Sequence, residues 1–235
     1  EGVVDYQYMI TPTNFTEDKW VSGLEVRPGN RQVVHHVIAF VLPPEGEQVP
    51  PRERLGTLCS QPAPGAPAAP AADLQRQQQP QPQQQPQQGQ SPQQGQARPR
   101  GGGMGVHLVG WAPGLQGYML PEGSGKLIRA GSRIMFQLHY TPSGKPAVDR
   151  DTKIGLIFAK GPVTKTVHTM GISNTRIVIP PGDPNYQATS CFTFGRDVTL
   201  LEFMPHMHFR GNDFLYKATF PDGRSETLLS VPKYD

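Results

Sequence analysis

Only two cysteines, Cys59 and Cys191, occur in the 235 residues, and they are too far apart to form a C-x-x-C pair. That argues against a zinc ribbon and a thioredoxin-like redox pair, and leaves a disulfide open. No apolar run approaches the roughly 18 to 20 residues needed to span a bilayer, so no transmembrane segment is expected. Charge of one sign is also missing: 22 Lys and Arg stand against 19 Asp and Glu, interspersed, for a formal net charge of +3. Without a basic stripe to neutralise a run of phosphates, nucleic acid is not an expected partner. The chain opens at Glu1-Gly2 without a Met or an apolar signal region and reads as a mature or excised piece. Nowhere is a helical apolar period sustained over three turns.

Proline and glycine, by contrast, are plentiful, at 26 each, and much of the excess lies in one central tract. From Gln61 to about Gly103 the chain is Ala/Pro-rich and then Gln/Pro-rich, with almost no large apolar residue after Leu74. Such a segment cannot bury enough apolar surface to offset its ordering entropy, which predicts a disordered insertion between two structured segments. Outside it, alternating or short β-branched apolar runs are punctuated by Gly, Pro, Asn and Asp clusters. The strands this pattern predicts are Val33 to Leu42, Val106 to Trp111, Arg133 to Tyr140, Lys153 to Phe158, Thr175 to Ile179, Tyr186 to Phe194, Val198 to Phe209 and Phe214 to Phe220. Many short strands separated by turn signals indicate an all-β chain of the antiparallel sandwich or jelly-roll kind.

Five of the seven histidines fall in three strand-like contexts: His35-His36, His139, and His206 with His208. Imidazole suits copper, zinc and iron, and a thiolate site would need cysteines that this chain does not supply, so any metal is expected to be held by nitrogen. His206 and His208, two apart on a strand, would share one face with Glu202 and Met204 and could chelate a single ion; two surface histidines on a half-buried strand is the alternative. In Ile134-Met135-Phe136-Gln137-Leu138-His139-Tyr140 the even-numbered residues take the core face, leaving Gln137 and His139 together on the other. Taken alone, His139 also fits a satisfied structural histidine. His35 and His36 lie in an otherwise apolar strand, where neighbours face opposite ways; both can reach one metal only at a bulge or a strand end. Burying two imidazoles there without partners would be costly. His107 and His168 match no ligand pattern and are assigned structural roles.

Taken in order, His35-His36, Gln137-Leu138-His139-Tyr140 and His206-Met207-His208 preceded by Cys191 resemble the motifs of the catalytic core of the type II copper, ascorbate-dependent monooxygenases. This family includes peptidylglycine α-hydroxylating monooxygenase and dopamine β-monooxygenase. The match runs from about Val33 to Gly211, and Gly110-Trp111-Ala112-Pro113-Gly114 has the look of the bacterial homologues. The resemblance implies two jelly-roll domains, one over residues 1–160 with the insertion at 61–103, the other beginning at 161–235 and incomplete. It implies that His35, His36 and His139 bind an electron-transfer copper. His206 and His208 would bind an oxygen-activating copper whose third ligand, a Met, lies after Asp235. Ascorbate or another one-electron donor, O2 and a small-molecule substrate follow as partners, in a periplasmic, secreted or lumenal setting. Cys191 resembles a family disulfide cysteine whose partner lies beyond Asp235, while a Cys59 to Cys191 bridge is the other pairing. In the peptide-hydroxylating branch a basic residue stands two positions before the His-x-His pair; here that residue is Met204. Two other readings of the same histidines are a non-catalytic copper-binding or electron-transfer module and a zinc-binding β-sandwich scaffold.

Overall fold

The computed structural model describes residues 4–48, 55–59, 105–174, 176–207 and 210–234. The Gln/Pro tract at 61–103 lies outside them. Among the described residues there are strands and no helix, in several largely antiparallel sheets, and the chain is all-β. It divides into two compact units. One comprises the described residues of 4–48 and 105–171, the other 55–59 with those of 172–234. Residues 161–171, which the domain reading assigns to the second sandwich, group with the first unit, and residues 55–59 group with the second.

In the first unit, β1 (Gln7–Pro12), β8 (Arg133–Tyr140), β3 (Val34–Leu42) and β5 (Val106–Trp111) form a four-stranded sheet in that spatial order. The second sheet is built on β2 (Lys19–Arg27), which pairs with β9 (Lys153–Phe158), β7 (Ser124–Ile128) and β6 (Tyr118–Met119); β10 (Lys165–Thr166) adds parallel to β7. One apolar core joins them: Val21, Leu24 and Val26 from β2 and Ile128 from β7 meet Val37, Ala39 and Val41 from β3, Leu108 and Trp111 from β5, and Ile134 and Leu138 from β8. The period-two alternation along β3 and β8 puts these residues on one face. Burying side chains such as Leu24, Leu108 and Ile128 stabilises the fold by about 1.5 to 3 kcal/mol each.

The opposite face of the four-stranded sheet carries His36, Ile38, Phe40 and Leu42 on β3, and His139, Gln137 and Met135 on β8. It is not simply polar. Phe40, Leu42 and Met135 form a second small apolar cluster against Tyr8 and Ile38, and Gln137 is itself buried. Gly105, at φ +83°, lets the chain enter β5 against the Val41 carbonyl, where a β-carbon would lie 2.5 Å from the oxygen.

The second unit contains a short pair, β4 (Gly56–Leu58) with β11 (Phe192–Phe194), and a hairpin, β12 (Phe214–Thr219) with β13 (Ser225–Val231). Cys59 and Cys191 are disulfide-bonded beside the first pair, so the pairing of Cys191 with a cysteine beyond Asp235 is corrected. Two strand expectations also fail. Residues 176–179 and 198–207 have no ladder partner among the described residues, and Pro205 has no N–H to give one. Of Tyr186 to Phe194, only Phe192–Phe194 is paired.

Candidate metal centre

His36 and His139 are direct partners across the β3–β8 ladder, and the register shifts between Val34 and His36 at the start of β3. That irregularity lets two neighbouring residues send their rings toward one point. His35 and His36 have their Nδ1 atoms 3.1 Å apart, and the His139 ring lies 5.1 Å from that of His35 and 4.9 Å from that of His36, centre to centre. One ligand nitrogen from each imidazole lies within 4.8 Å of the other two. Metal–imidazole bonds of about 2.0–2.1 Å separate neighbouring donors by roughly 3 to 4 Å, so a small ring rotation closes the widest pair. No other trio of His, Cys, Asp or Glu converges in this way among the described residues.

The protonation pattern favours coordination. Two Nδ1 atoms facing one another at 3.1 Å repel unless a proton or another cation lies between them. The Nδ1 of His139 is buried without a hydrogen-bond partner, and a metal ion bound through that nitrogen would remove the cost of about 1 to 3 kcal/mol. Burial, and then the neighbouring His35, hold the His139 pKa below the usual imidazole value. His139 therefore favours the neutral form, the one that binds metals.

The surroundings hold this arrangement on rigid elements. Tyr6, one residue before β1, lies over His139 with ring centres 4.7 Å apart, and 5.6 Å from His36. Gln137, two residues before His139, donates from Nε2 to the Tyr8 hydroxyl at 2.9 Å. On the other side Tyr140 donates its hydroxyl to Asp149 Oδ2 at 3.0 Å, and Thr152 donates to the same oxygen at 2.6 Å. Burial, with Asp149 adding to it, pushes the Tyr140 phenol up to about 12, so it remains a donor. His35 is exposed whereas His36 and His139 are half-buried, so the cluster opens to solvent on the His35 side. Tyr6 had no signal in the sequence: it precedes a short, mostly exposed strand and belongs to no motif.

The remaining sequence candidates lie elsewhere. His206 is exposed in the irregular stretch after β11, and His208 lies outside the described residues. His206 itself lies outside any strand among the described residues. Met204 is 58% exposed. His107 sits on β5 opposite Phe40, edge-on to its ring at 5.8 Å, apart from the three converging imidazoles. Burial, and then Lys126, depress its pKa to about 4. His168 is exposed beyond β10. The disulfide removes both thiols from the set of possible ligands. Comparison with known protein families, curated proteins and solved structures finds no match to this chain.

Proposed function

We propose that this chain carries the copper-binding core of an ascorbate-dependent copper monooxygenase, in which His35, His36 and His139 hold an electron-transfer copper and His206 and His208 contribute to an oxygen-activating one. The observation that carries the reading is the convergence of three imidazoles on one point. The order of the histidine motifs along the sequence supplies the rest. The donor set, three nitrogens with no thiolate and no carboxylate, suits copper, zinc or iron rather than calcium or magnesium, and it is the order of the histidine motifs that favours copper among these.

When bound, copper supplies one-electron transfer at the first site and oxygen chemistry at the second. The protein's own part is to keep His139 neutral through burial, to fix His36 opposite it by the β3–β8 register, and to cover both rings with Tyr6. Exposed His35 leaves a side open to a small soluble reductant such as ascorbate. The disulfide suits a periplasmic, secreted or lumenal setting. A second reading, a copper-binding electron-transfer module without hydroxylation, rests on the same three histidines, which would by themselves suffice for an electron-transfer copper.

The deciding experiment gives the copper-loaded full-length protein ascorbate and a panel of small substrates under labelled O2. Label in a hydroxylated product supports the monooxygenase. Copper that cycles with ascorbate but transfers no oxygen to any substrate supports the electron-transfer module instead.

A further inference from the structure

The irregularity that gathers the three imidazoles is held from the core face of the sheet. Between the Val34–Tyr140 pair and the His36–His139 pair, β3 advances two residues and β8 one, so His35 is the extra residue of a bulge. On the Tyr140 side of that bulge the backbone is tied down. The Thr141 N–H donates to the Val33 carbonyl at 2.7 Å, and the Val33 and Val34 N–H groups share the Asn30 carbonyl at 3.3 and 3.0 Å. The Tyr140 side chain leaves the strand on the face opposite His139 and packs against the core. Its hydroxyl donates to Asp149 Oδ2 at 3.0 Å. The Thr152 hydroxyl accepts the Gly29 N–H at 3.1 Å and donates to the same Asp149 oxygen at 2.6 Å. Next to Asp149, the Val148 carbonyl accepts Asn30 Nδ2 at 3.1 Å. Gly29 lets the two segments close up, since a β-carbon there would collide with Asp149 Oδ1 and lie 2.7 Å from the Asp151 nitrogen. One carboxylate oxygen thus joins the end of β8 to the connection that delivers His35.

From this geometry we infer that Asp149 is a positioning residue for the centre formed by His35, His36 and His139, acting through Tyr140 and through the turn at Gly29 and Asn30. The inference rests on the reading of these three histidines as metal ligands and deepens it. Hydrogen bonds accepted by a carboxylate are the stronger kind, and here two hydroxyls from separate segments converge on one oxygen. Without that acceptor the Val34–Tyr140 end of the bulge is free to slip, and regular pairing would send His35 and His36 to opposite faces. Groups that orient a metal ligand without touching the metal typically cost about 10- to 100-fold in affinity when removed.

The test titrates copper into the full-length protein and its His139→Ala, Asp149→Ala, Asp149→Asn, Tyr140→Phe and Ile128→Val variants, with electron paramagnetic resonance and a thermal melt recorded for each. Tyr140→Phe keeps the ring in the core and deletes its bond to Asp149, and Asp149→Asn keeps an oxygen that can accept both hydroxyls. Ile128→Val loosens the same core from the second sheet. The expected result is loss of about one copper in His139→Ala, which identifies the spectrum of that ion. Asp149→Ala should bind the same copper about 10- to 100-fold more weakly and with a changed spectrum. Tyr140→Phe should move in the same direction by less, and Asp149→Asn should recover most of the affinity and the parent spectrum. Ile128→Val should melt lower yet bind copper as the parent does. If His139→Ala loses the copper while Asp149→Ala and Tyr140→Phe match the parent in affinity and spectrum, the positioning role is overturned and the ligand reading survives. Equal weakening in Asp149→Ala and Ile128→Val overturns it as well, because the effect is then a general loosening of the core. Full copper in His139→Ala overturns the ligand reading, and this inference with it.

Discussion

The Nδ1 atoms of His35 and His36 face one another at 3.1 Å, although the two residues are neighbours on a strand whose side chains should point to opposite sides. The register shift between Val34 and His36 resolves this conflict, and it sits where β3 begins opposite the end of β8. Strand-end irregularity and metal-type geometry therefore coincide, with His139 supplied by the facing strand.

His107 should make the protein acid-sensitive independently of the metal centre. Its folded pKa of about 4 lies below the ordinary imidazole value of 6.5, because burial and Lys126 disfavour the charged ring. The unfolded chain then binds more protons than the folded one between these values. The stability that His107 contributes is complete above pH 6.5 and is lost as pH falls toward 4. Because the ring is not fully buried, the loss should be on the order of 1 to 3 kcal/mol. Denaturant melts of the parent and of His107→Gln from pH 7 to pH 4 measure it. The parent should lose more stability than the variant over that interval, and parallel curves would count against the assignment.

The disulfide ties residues 55–59 to β11 across a sequence separation of 132. Closing so long a loop restricts the unfolded chain, and removing such a bond typically costs about 2 to 5 kcal/mol. Cys59→Ser with Cys191→Ser should lower the melting temperature while leaving copper at His35, His36 and His139 bound, since those three belong to the other compact unit. An unchanged melting temperature would contradict this.

On the monooxygenase reading, the substrate should be neutral or less polar rather than a peptide ending in a glycine carboxylate. At Met204 a thioether stands where the peptide-hydroxylating branch of the resembled family has a cation, and a thioether cannot make the charged, bidentate contacts that hold a carboxylate. Comparing turnover of a glycine-extended peptide with that of its amide tests the point. Faster, saturable, copper- and ascorbate-dependent hydroxylation of the free carboxylate would overturn it.

Much of the first sandwich was legible from the sequence. β5, β8 and β9 begin and end where alternation and β-branching predict, and β3 starts one residue later. β2 escaped notice because Gly23 and three charged residues interrupt its apolar pattern, and β7 because its buried face includes Ser124 and Lys126. The buried Lys126 ammonium is accommodated by the Leu108 carbonyl at 2.6 Å and Thr169 Oγ1 at 2.9 Å, partners distant in sequence. The same limit applies to the metal centre. The three histidines could be named individually, but that His36 falls opposite His139 is a fact of register between distant strands. Around His206 the apolar alternation suggested a strand, whereas the Met207 N–H and carbonyl are held by the Tyr234 hydroxyl, which no periodicity encodes.

The most direct test of the account counts copper. The full-length protein and its His36→Ala, His139→Ala and His107→Ala variants are loaded with copper, freed of weakly held ions by dialysis, and assayed for metal per chain. The account predicts that His36→Ala and His139→Ala each lose about one equivalent, because two imidazoles leave an open and poorly matched shell, while His107→Ala keeps the full complement. Full copper in His139→Ala, or a loss in His107→Ala as large as in His139→Ala, would contradict it.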